Sequence, residues 1–462
     1  MSPTSQNSGS SAAGPLVSPS AGEIFVLARA REISLSRLLM AYVSTGLFFM
    51  LLPGTFLGVW NLLQISGRES VALISPAWLQ AHGHAQVFGW IGSFIFGIGF
   101  YSIPKLRGPA RLTFAAAWTC WVMWTLGVAL RWTANVYYWH WRALLPLSAA
   151  LELAAFAIFF VAVSSHRPDS PAKGSLEPWI MVVAFASIGL FLTLIVNLVE
   201  CIQLASRGAS PALPHVLDQR YLVLLAWGFL VPFVWGFSAK WMPVFLGLKP
   251  LRPRLLLLAL AVNSLGVVLG FFGRIPVATG IFILSTALAI AALRMFESSQ
   301  QEPKTRGIHK SMPVFVRMAY AWLLVAACLG VAAAAWDTSG GIWGASRHAL
   351  TVGFISIMVF CVGQRILPAF AGMRLLWSTQ LMFIALALLA CGCVLRVSCE
   401  VLAYQGYAQW AWSVLPTSAM FELAGVTAFA ANIFGTFLFE PTHRAPQPSL
   451  VGVSSGPSED SR

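Results

Sequence analysis

Twelve apolar stretches follow one another along almost the whole chain. Each approaches or exceeds the roughly 20 residues that a helix needs to cross the core of a bilayer. They lie at 36–64, 82–104, 112–131, 143–164, 179–205, 218–246, 254–274, 275–296, 314–336, 346–370, 376–396 and 412–439. The apolar residues follow one another without a break and do not alternate with polar residues, as they would in the strands of a membrane barrel. Backbone groups in lipid must form their hydrogen bonds within the segment, so helices are favoured. With 58% hydrophobic and 10% charged residues, the sequence predicts an all-α, polytopic membrane protein with twelve or so transmembrane helices.

The two ends of the chain differ in composition from this membrane domain, which we place at 36–440. The first twenty residues are mostly Ser, Gly, Pro and Ala without an apolar core, and the segment after residue 440 is similar. Such segments do not bury enough apolar surface to fold, and no signal-peptide pattern is present. We therefore expect residues 1–35 and 441–462 to be disordered cytoplasmic tails.

The net charge of +13 could suggest a nucleic-acid partner, but the basic residues are distributed according to membrane topology. With a cytoplasmic N-terminus, 20 of the 29 Lys and Arg residues fall in inner tails and loops, 8 fall in outer loops, and Lys240 lies inside a span. An excess of basic residues on the cytoplasmic side orients membrane proteins. We predict that both termini are cytoplasmic, that span 2 starts at the outer face, and that the bilayer, not nucleic acid, is the partner.

One stretch of the chain recurs. "HGHAQVFGWIGSFIFGIGFYSIPKLRG" at residues 82–108 returns as "HALTVGFISIMVFCVGQRILPAFAG" at 348–372, with a histidine, a glycine and a proline at identical spacing in both copies. These landmarks are His84, Gly89 and Pro104 in the first copy and His348, Gly353 and Pro368 in the second. Chance similarity between apolar helices is the alternative explanation for any single match.

Further landmarks favour duplication over chance. Arg131 and Arg396 end spans 3 and 11, and "LSAALELAA" around Glu152 matches "TSAMFELAG" around Glu422. A weaker middle copy has Val223 at the position of the two histidines. Because self-similarity at a fixed period signals repeated architecture, we predict three pseudo-repeated four-helix units at about 36–165, 179–296 and 314–440.

The histidines suggest a cofactor. Two imidazoles from facing helices can supply both axial ligands of a haem, and imidazole also binds copper. His82 and His84 are about 200° apart around a helix, so they cannot both point at one ion. We predict that His84 and His348 hold a haem near the outer face, with His82 and His215 available to a second metal site. Partly hydrated histidines at helix ends are the alternative.

A haem also needs partners for its propionates. Arg131 and Arg396 lie at the outer ends of their spans, near the depth of the two histidines, and charge-assisted pairing would suit them. Simple snorkelling is the alternative. Glu152 and Glu422 lie deeper, where they could pair with these arginines, gate protons or hydrogen-bond a ligand histidine.

The stretches "HGHAQVFGW" from His82 and "RHALTVGF" from Arg347 resemble the NnrS family, haem- and copper-containing membrane proteins of the bacterial nitric oxide response. The resemblance covers roughly residues 36–440. It implies twelve helices, bound haem and copper, nitric oxide as a ligand, substrate or inducing stress, and a protective role in the bacterial inner (cytoplasmic) membrane. Oligomeric state is left open.

The same features are similar to subunit I of the haem–copper oxidases and nitric oxide reductases, which have twelve helices in three arcs and haem-ligand histidines toward the outer side of spans 2 and 10. This sequence differs from those enzymes in spans 6 and 7, which lack the histidines of the enzymes' copper site. The comparison leaves redox activity open and argues against a complete oxygen or nitric oxide reductase. A transporter or a cofactor-free membrane sensor is the alternative function, in which the histidines respond to pH.

Overall fold

Twelve long helices make up the part of the protein that the structure describes. This structure, a computed structural model, describes residues 21–70, 74–107, 113–164, 177–370, 372 and 375–439, and in these parts of the chain it contains no strand. The helices are α1 (21–68), α2 (76–107), α3 (Phe114–Tyr137), α4 (Trp141–Ser164), α5 (Pro178–Arg207), α6 (His215–Leu246), α7 (Pro253–Phe271), α8 (Ile275–Leu293), α9 (Met312–Trp336), α10 (Gly341–Phe370), α11 (Thr379–Tyr404) and α12 (Ala411–Leu438). The predicted all-α, polytopic architecture is confirmed.

Eleven of the helices are long and apolar enough to cross a membrane. The exception is α3, which has 24 residues but carries four tryptophans and Arg131. These side chains lower its mean hydropathy without shortening it. Because α3 packs along α4 in the same bundle, it is a twelfth helix of the membrane domain.

The N-terminal boundary differs from the sequence-based expectation. Helix α1 begins at Ala21, so the predicted disordered tail is wrong for residues 21–35. Arg29, Arg31 and Glu32 make this part too polar for a hydropathy window, although none of them prevents a helix. Leu35 is already buried in the core. The remaining tail segments, 1–20 and 440–462, lie outside the described residues.

Three helices share a local distortion at matching positions. A π-helical segment interrupts α2 at Ala85–Gly92, α6 at Leu224–Leu230 and α10 at Ala349–Ser356. Each begins at the residue that follows His84, Val223 or His348, the three positions that the repeat aligns. Widened turns of this kind are rare overall and common at functional sites. Their common register supports three related units, whose boundaries stay predictions; a fourth π segment, Met50–Phe56, lies in α1.

The packing of α3 on α4 is repeated by α11 on α12. A Cβ atom on Gly127 would lie 2.8 Å from Glu152 Cγ, and a Cβ atom on Gly392 would lie 2.7 Å from Glu422 Cγ. Each glycine also faces the carbonyl oxygen of the serine one helical turn before the glutamate, at 3.1 and 3.0 Å respectively. The same close approach therefore places a buried carboxyl group in the first and third units.

The two ends of the bundle are chemically different. We call the end at which α2, α6 and α10 begin the histidine end, because His82, His84, His215 and His348 all lie there. The other end carries the basic segments that follow α6 and α8. There Arg294 pairs with Glu297, and Arg317 donates to the carbonyl oxygens of Met295 and Glu297.

Candidate functional site

His82 and His84 face opposite sides of α2, as their two-residue spacing predicts. His82 Nδ1 lies 2.8 Å from the carbonyl oxygen of Gly54 on α1. His84 Nε2 lies 2.6 Å from Glu152 Oε1 on α4. Each histidine therefore belongs to a different group of side chains.

The first group, the third-unit cluster, surrounds His348. Its members are His82, Arg347, His348, Arg396, Glu400 and Glu422. His348 Nδ1 lies 3.1 Å from Glu400 Oε2, and Arg396 Nε lies 3.3 Å from the same oxygen. His82 interacts electrostatically with both His348 and Arg396. The structure thus brings His82, not His84, into the surroundings of His348.

Both imidazoles of this cluster are held in the same way. His348 Nδ1 lies 2.8 Å from the carbonyl oxygen of Gly344, just as His82 Nδ1 does from that of Gly54. A carbonyl oxygen only accepts, so Nδ1 donates its proton and Nε2 keeps its lone pair. Gly58 packs against the His82 ring, where a Cβ atom would lie 2.6 Å from Cε1. A histidine that ligates a metal through Nε2 has this tautomer and commonly donates its Nδ1–H in this way.

Several buried polar atoms on the helices of this cluster have no hydrogen-bond partner among the described residues. They are both side-chain atoms of Asn61, Nη2 of Arg347 and Oε1 of Glu422. Asn61 is 2% exposed, and it follows Gly58 by three positions, so the two share a face of α1. Buried polar groups are normally paired. The two donors among these atoms, Asn61 Nδ2 and Arg347 Nη2, suit a ligand that brings charged oxygens of its own.

The second group, the first-unit cluster, surrounds His84. Its members are His84, Arg131, Glu152, Asn197 and Cys201. Nη1 of Arg131 donates to Asn197 Oδ1 at 3.2 Å and to Cys201 Sγ at 2.6 Å, while Nδ2 of Asn197 donates to Glu152 Oε2 at 3.4 Å. Arg131 is only 3% exposed and Glu152 is fully buried. Arg131 is therefore part of a buried network rather than a snorkelling residue at the surface.

The predicted site residues are consequently divided. His348 and Arg396 lie together in the third-unit cluster, whereas His84 and Arg131 lie together in the first-unit cluster. His215, the first residue of α6, is exposed and interacts with Asp218. Within the described residues, no three His, Cys, Asp or Glu side chains are gathered as metal ligands.

In the middle unit, the position that aligns with His84 and His348 is Val223, and its neighbours are mostly apolar. Val223 borders a cavity of about 40 Å³ that is also lined by Trp227, Phe282 and Trp343. The Trp227 and Phe282 rings stack with their centroids 4.3 Å apart. His215 is the only histidine in the sequence of α6 and α7. These helices therefore offer no set of imidazoles for a copper ion.

Sequence reasoning missed four members of the two clusters, of which Arg347 appeared only at the start of a quoted motif. Glu400 lies one helical turn after Arg396, a spacing that brings opposite charges together on a helix, and this signal could have been used. Asn197 and Cys201 have the same spacing on α5, but neither carries a charge that marks it in an apolar stretch. His82 was identified from the sequence but was assigned to a second metal site and not to the haem.

Comparison with solved structures places this architecture in a known class. The chain is similar to a structure described as a heme-copper terminal oxidase dimer determined by cryo-EM, with a TM-score of 0.65 and 12% sequence identity over 90% of this chain and 88% of that chain. At this identity the likeness shows the fold alone. The protein is a multi-span membrane protein with a fold like that of a haem–copper oxidase.

The sequence comparisons add a narrower finding. Residues 225–432 match a family described as a domain of unknown function (DUF8744). The match begins within the π segment of α6 and ends within α12, so it includes His348, Arg396 and Glu400 and leaves out His82 and His84. Among curated proteins, none matches the sequence.

Proposed function

We propose that this protein is a haem protein of the bacterial inner membrane in which His82 and His348 would ligate the haem iron. One observation carries the proposal: the two imidazoles share a cluster, and each has Nδ1 tied to a backbone carbonyl so that Nε2 is free to bind iron. The sequence alone favoured His84 as the partner of His348. Its Nε2 is instead engaged by Glu152.

Other members of the third-unit cluster fit the rest of a haem. Arg396 and Arg347 provide cationic groups for propionates, with which guanidinium forms strong paired hydrogen bonds. Glu400 Oε2 lies 3.1 Å from His348 Nδ1, and its negative charge would make that imidazole a stronger ligand. A bound haem would supply one-electron redox chemistry and the capacity to bind a diatomic gas.

The physiological role follows from the resemblance to NnrS proteins. We propose that the histidine end faces the outside, that both termini are cytoplasmic, and that the protein acts in the response to nitric oxide or nitrosative stress. The distribution of basic residues supports the orientation. The resemblance also implies copper, for which the sequence offered His82 and His215 as candidate ligands.

A reduced-minus-oxidised optical spectrum of the purified protein, with extracted haem and metals quantified, tests the proposal. Cells should be supplied with excess haem precursor. We expect the spectrum of a haem with two histidine ligands, which His82→Ala and His348→Ala each abolish or convert. His84→Ala is the matched control, because it removes a neighbouring imidazole of the same helix and should leave the ligand set intact.

Two outcomes would refute the assignment. A protein that is colourless under full haem supply would reject the haem function and favour a transporter or sensor. A spectrum that survives in His82→Ala, but is lost in both His84→Ala and His348→Ala, would restore the original ligand choice. Binding of nitric oxide to the reduced protein, followed optically, then tests the proposed role.

A further inference from the structure

A cavity of about 440 Å³ lies where α6 ends, at the end of the bundle opposite the histidine end. Its walls are the last turns of α6, the segment between α6 and α7, and the segment between α8 and α9. We call it the basic groove; its lining includes Lys240, Val244, Leu248, Leu251, Gln301 and Lys304. None of these residues belongs to the first-unit or the third-unit cluster.

Backbone hydrogen bonds hold the walls of the groove together. Gly247, with a φ of +64°, turns the chain after α6, and its carbonyl oxygen accepts from the backbone N–H groups of Gln300 and Gln301 at 2.7 and 3.2 Å. The N–H group of Lys304 donates to the carbonyl oxygen of Phe245 at 3.0 Å. A Cβ atom on Gly247 would collide with the Gln301 carbonyl oxygen, so this approach requires glycine. The two walls therefore keep a fixed spacing.

The two charged side chains in the lining of the groove, Lys240 and Lys304, are both cations. Lys240 Nζ lies 2.9 Å from Glu177 Oε2 and 5.2 Å from the centre of the Trp179 ring, so its ammonium group is oriented and partly neutralised. Lys304 is exposed and makes no ion pair within the described part of the chain. The groove thus offers an ammonium group to an anion.

The segments that form the groove carry an excess of positive charge. Residues 249–254 and 294–310 contain seven Lys and Arg residues and two glutamates. One of these glutamates, Glu297, is already paired, because Arg294 and Arg252 lie 2.7 and 3.3 Å from its carboxyl oxygens. The other, Glu302, follows Gln301 in the sequence and is not among the lining residues. An anion in the groove therefore meets a positive field from both segments.

The groove also has an apolar side, which distinguishes between two kinds of anion. Val244 is 47% exposed on α6, a helix apolar enough to cross a membrane, and Leu251 lines the groove from the next segment. A free phosphate ion would leave these side chains in contact with water. A phospholipid would instead place its phosphate group at the helix ends and its acyl chains along α6. Basic pockets between membrane helices on the cytoplasmic side are typical sites for anionic lipid headgroups.

We propose that the basic groove binds one anionic phospholipid, with its phosphate group between Lys240 and Lys304 and its acyl chains along α6. The proposed orientation places this end of the bundle in the cytoplasm, so the lipid belongs to the cytoplasmic leaflet. The proposal does not depend on the proposed haem function.

Native mass spectrometry of the full-length protein in detergent, titrated with phosphatidylglycerol, tests the proposal by counting bound lipids. We expect one tightly held phosphatidylglycerol and much weaker binding of phosphatidylcholine, whose headgroup has no net charge. Lys304→Ala should weaken the tightest binding step roughly fivefold, the factor that one basic residue near a membrane surface contributes. Arg306→Ala is the matched control, because Arg306 is also exposed but does not line the groove. Equal weakening by the two variants would indicate diffuse attraction and overturn the proposal.

A second pair of variants tests the shape of the groove without changing its charge. Val244→Trp places a bulky ring in the groove and should abolish the tight binding step. Val314→Trp is the control, because Val314 is 64% exposed on α9 and does not line the groove. Tight binding that persists in Val244→Trp would place the lipid elsewhere and refute the assignment.

Competition separates a lipid from a soluble anion that shares its phosphate chemistry. Inorganic phosphate and glycerol phosphate are added to protein that holds phosphatidylglycerol, and the retained lipid is measured. We expect both competitors to displace the lipid only at a large excess, because neither has acyl chains to contact α6. Displacement by inorganic phosphate at a concentration equal to that of the lipid would show that the groove is a site for a soluble anion, and the lipid proposal would fall.

Discussion

Substitution of Gly58 by alanine should weaken haem binding without disturbing the fold. Gly58 lies on α1 against the ring of His82, where an added Cβ atom would lie 2.6 Å from Cε1 and 2.8 Å from Nδ1. An ordinary contact is 3.4 Å or longer, so the imidazole must move by about 0.8 Å. A shift of this size takes Nδ1 away from the Gly54 carbonyl oxygen, which it now approaches to 2.8 Å.

The expected cost follows from the two interactions that the shift disturbs. Loss of a hydrogen bond costs about 0.5–1.5 kcal/mol, and displacement of a side chain from its preferred rotamer costs about 0.5–1.5 kcal/mol. Together they amount to about 1–3 kcal/mol, which corresponds to a roughly 5- to 150-fold weaker affinity for haem. The backbone of α1 gains slightly, because alanine favours a helix more than glycine does.

Haem transfer to an excess of an acceptor protein, followed optically, measures this change. Gly67→Ala is the matched control on the same helix, since a Cβ atom there would meet nothing within 4 Å. We expect faster haem loss for Gly58→Ala and no change for Gly67→Ala. If Gly58→Ala retains haem as firmly as the unsubstituted protein, His82 is not the ligand that the orientation of its ring indicates.

Three further predictions concern the rest of the chain. Gly127→Ala and Gly392→Ala should lower the midpoint of thermal unfolding by similar amounts, because both glycines face a glutamate Cγ at nearly the same distance. Overpacking of this kind costs about 1–3 kcal/mol. Very different midpoints for the two variants would argue against equivalent units. Lys240→Ala should cost at most about 1 kcal/mol in a chemical-denaturation measurement, because surface ion pairs are screened by water. Its partner Glu177 is largely exposed. The hydrogen bonds from Lys240 and Trp179 lower the pKa of the Glu177 carboxyl group, so this contribution should be present at neutral pH and disappear as the pH falls through that pKa. In intact cells a membrane-impermeant thiol reagent should label Thr338→Cys in the exposed turn before α10, and labelling only after permeabilisation would reverse the proposed orientation.

The positions of the helices could be predicted because lipid imposes a strong and simple rule. A span of about 20 apolar residues is visible in a single sequence, and each of the twelve predicted stretches corresponds to a helix. The extension of α1 to Ala21 was missed because that segment carries Arg29, Arg31 and Glu32 and is largely exposed, so hydropathy gives no signal for it. The π segments were missed as well, because no residue type encodes a widened turn.

The site was only partly predictable for a different reason. Spacing on one helix shows that His82 and His84 face different directions, but it does not show which direction leads to His348. That choice depends on how α2 is rotated against α1 and α4, a property of packing that only the assembled bundle reveals. Glu152 shows which histidine faces away from His348, because its carboxyl group hydrogen-bonds with His84 Nε2. His82 is then the histidine of α2 that joins the third-unit cluster.

Comparison of the two clusters explains how one repeated scaffold can carry two chemistries. The backbone features are shared, since the π segments of α2 and α10 and the glycine that faces a buried glutamate occur in both units. The difference lies in the side chains supplied by the next helices around the bundle. Helix α2 brings His82 to the third-unit cluster, while α6 brings Tyr221 to the first. In the proposed haem site a second imidazole completes a pair of candidate iron ligands, whereas in the first-unit cluster a phenol stands there and His84 hydrogen-bonds with Glu152. If this reasoning holds, Tyr221→His together with Glu152→Ala should move the first-unit cluster toward haem binding, measured as a rise in haem per protein above that of the unsubstituted chain; no rise in a folded variant would show that more than the second imidazole separates the two units.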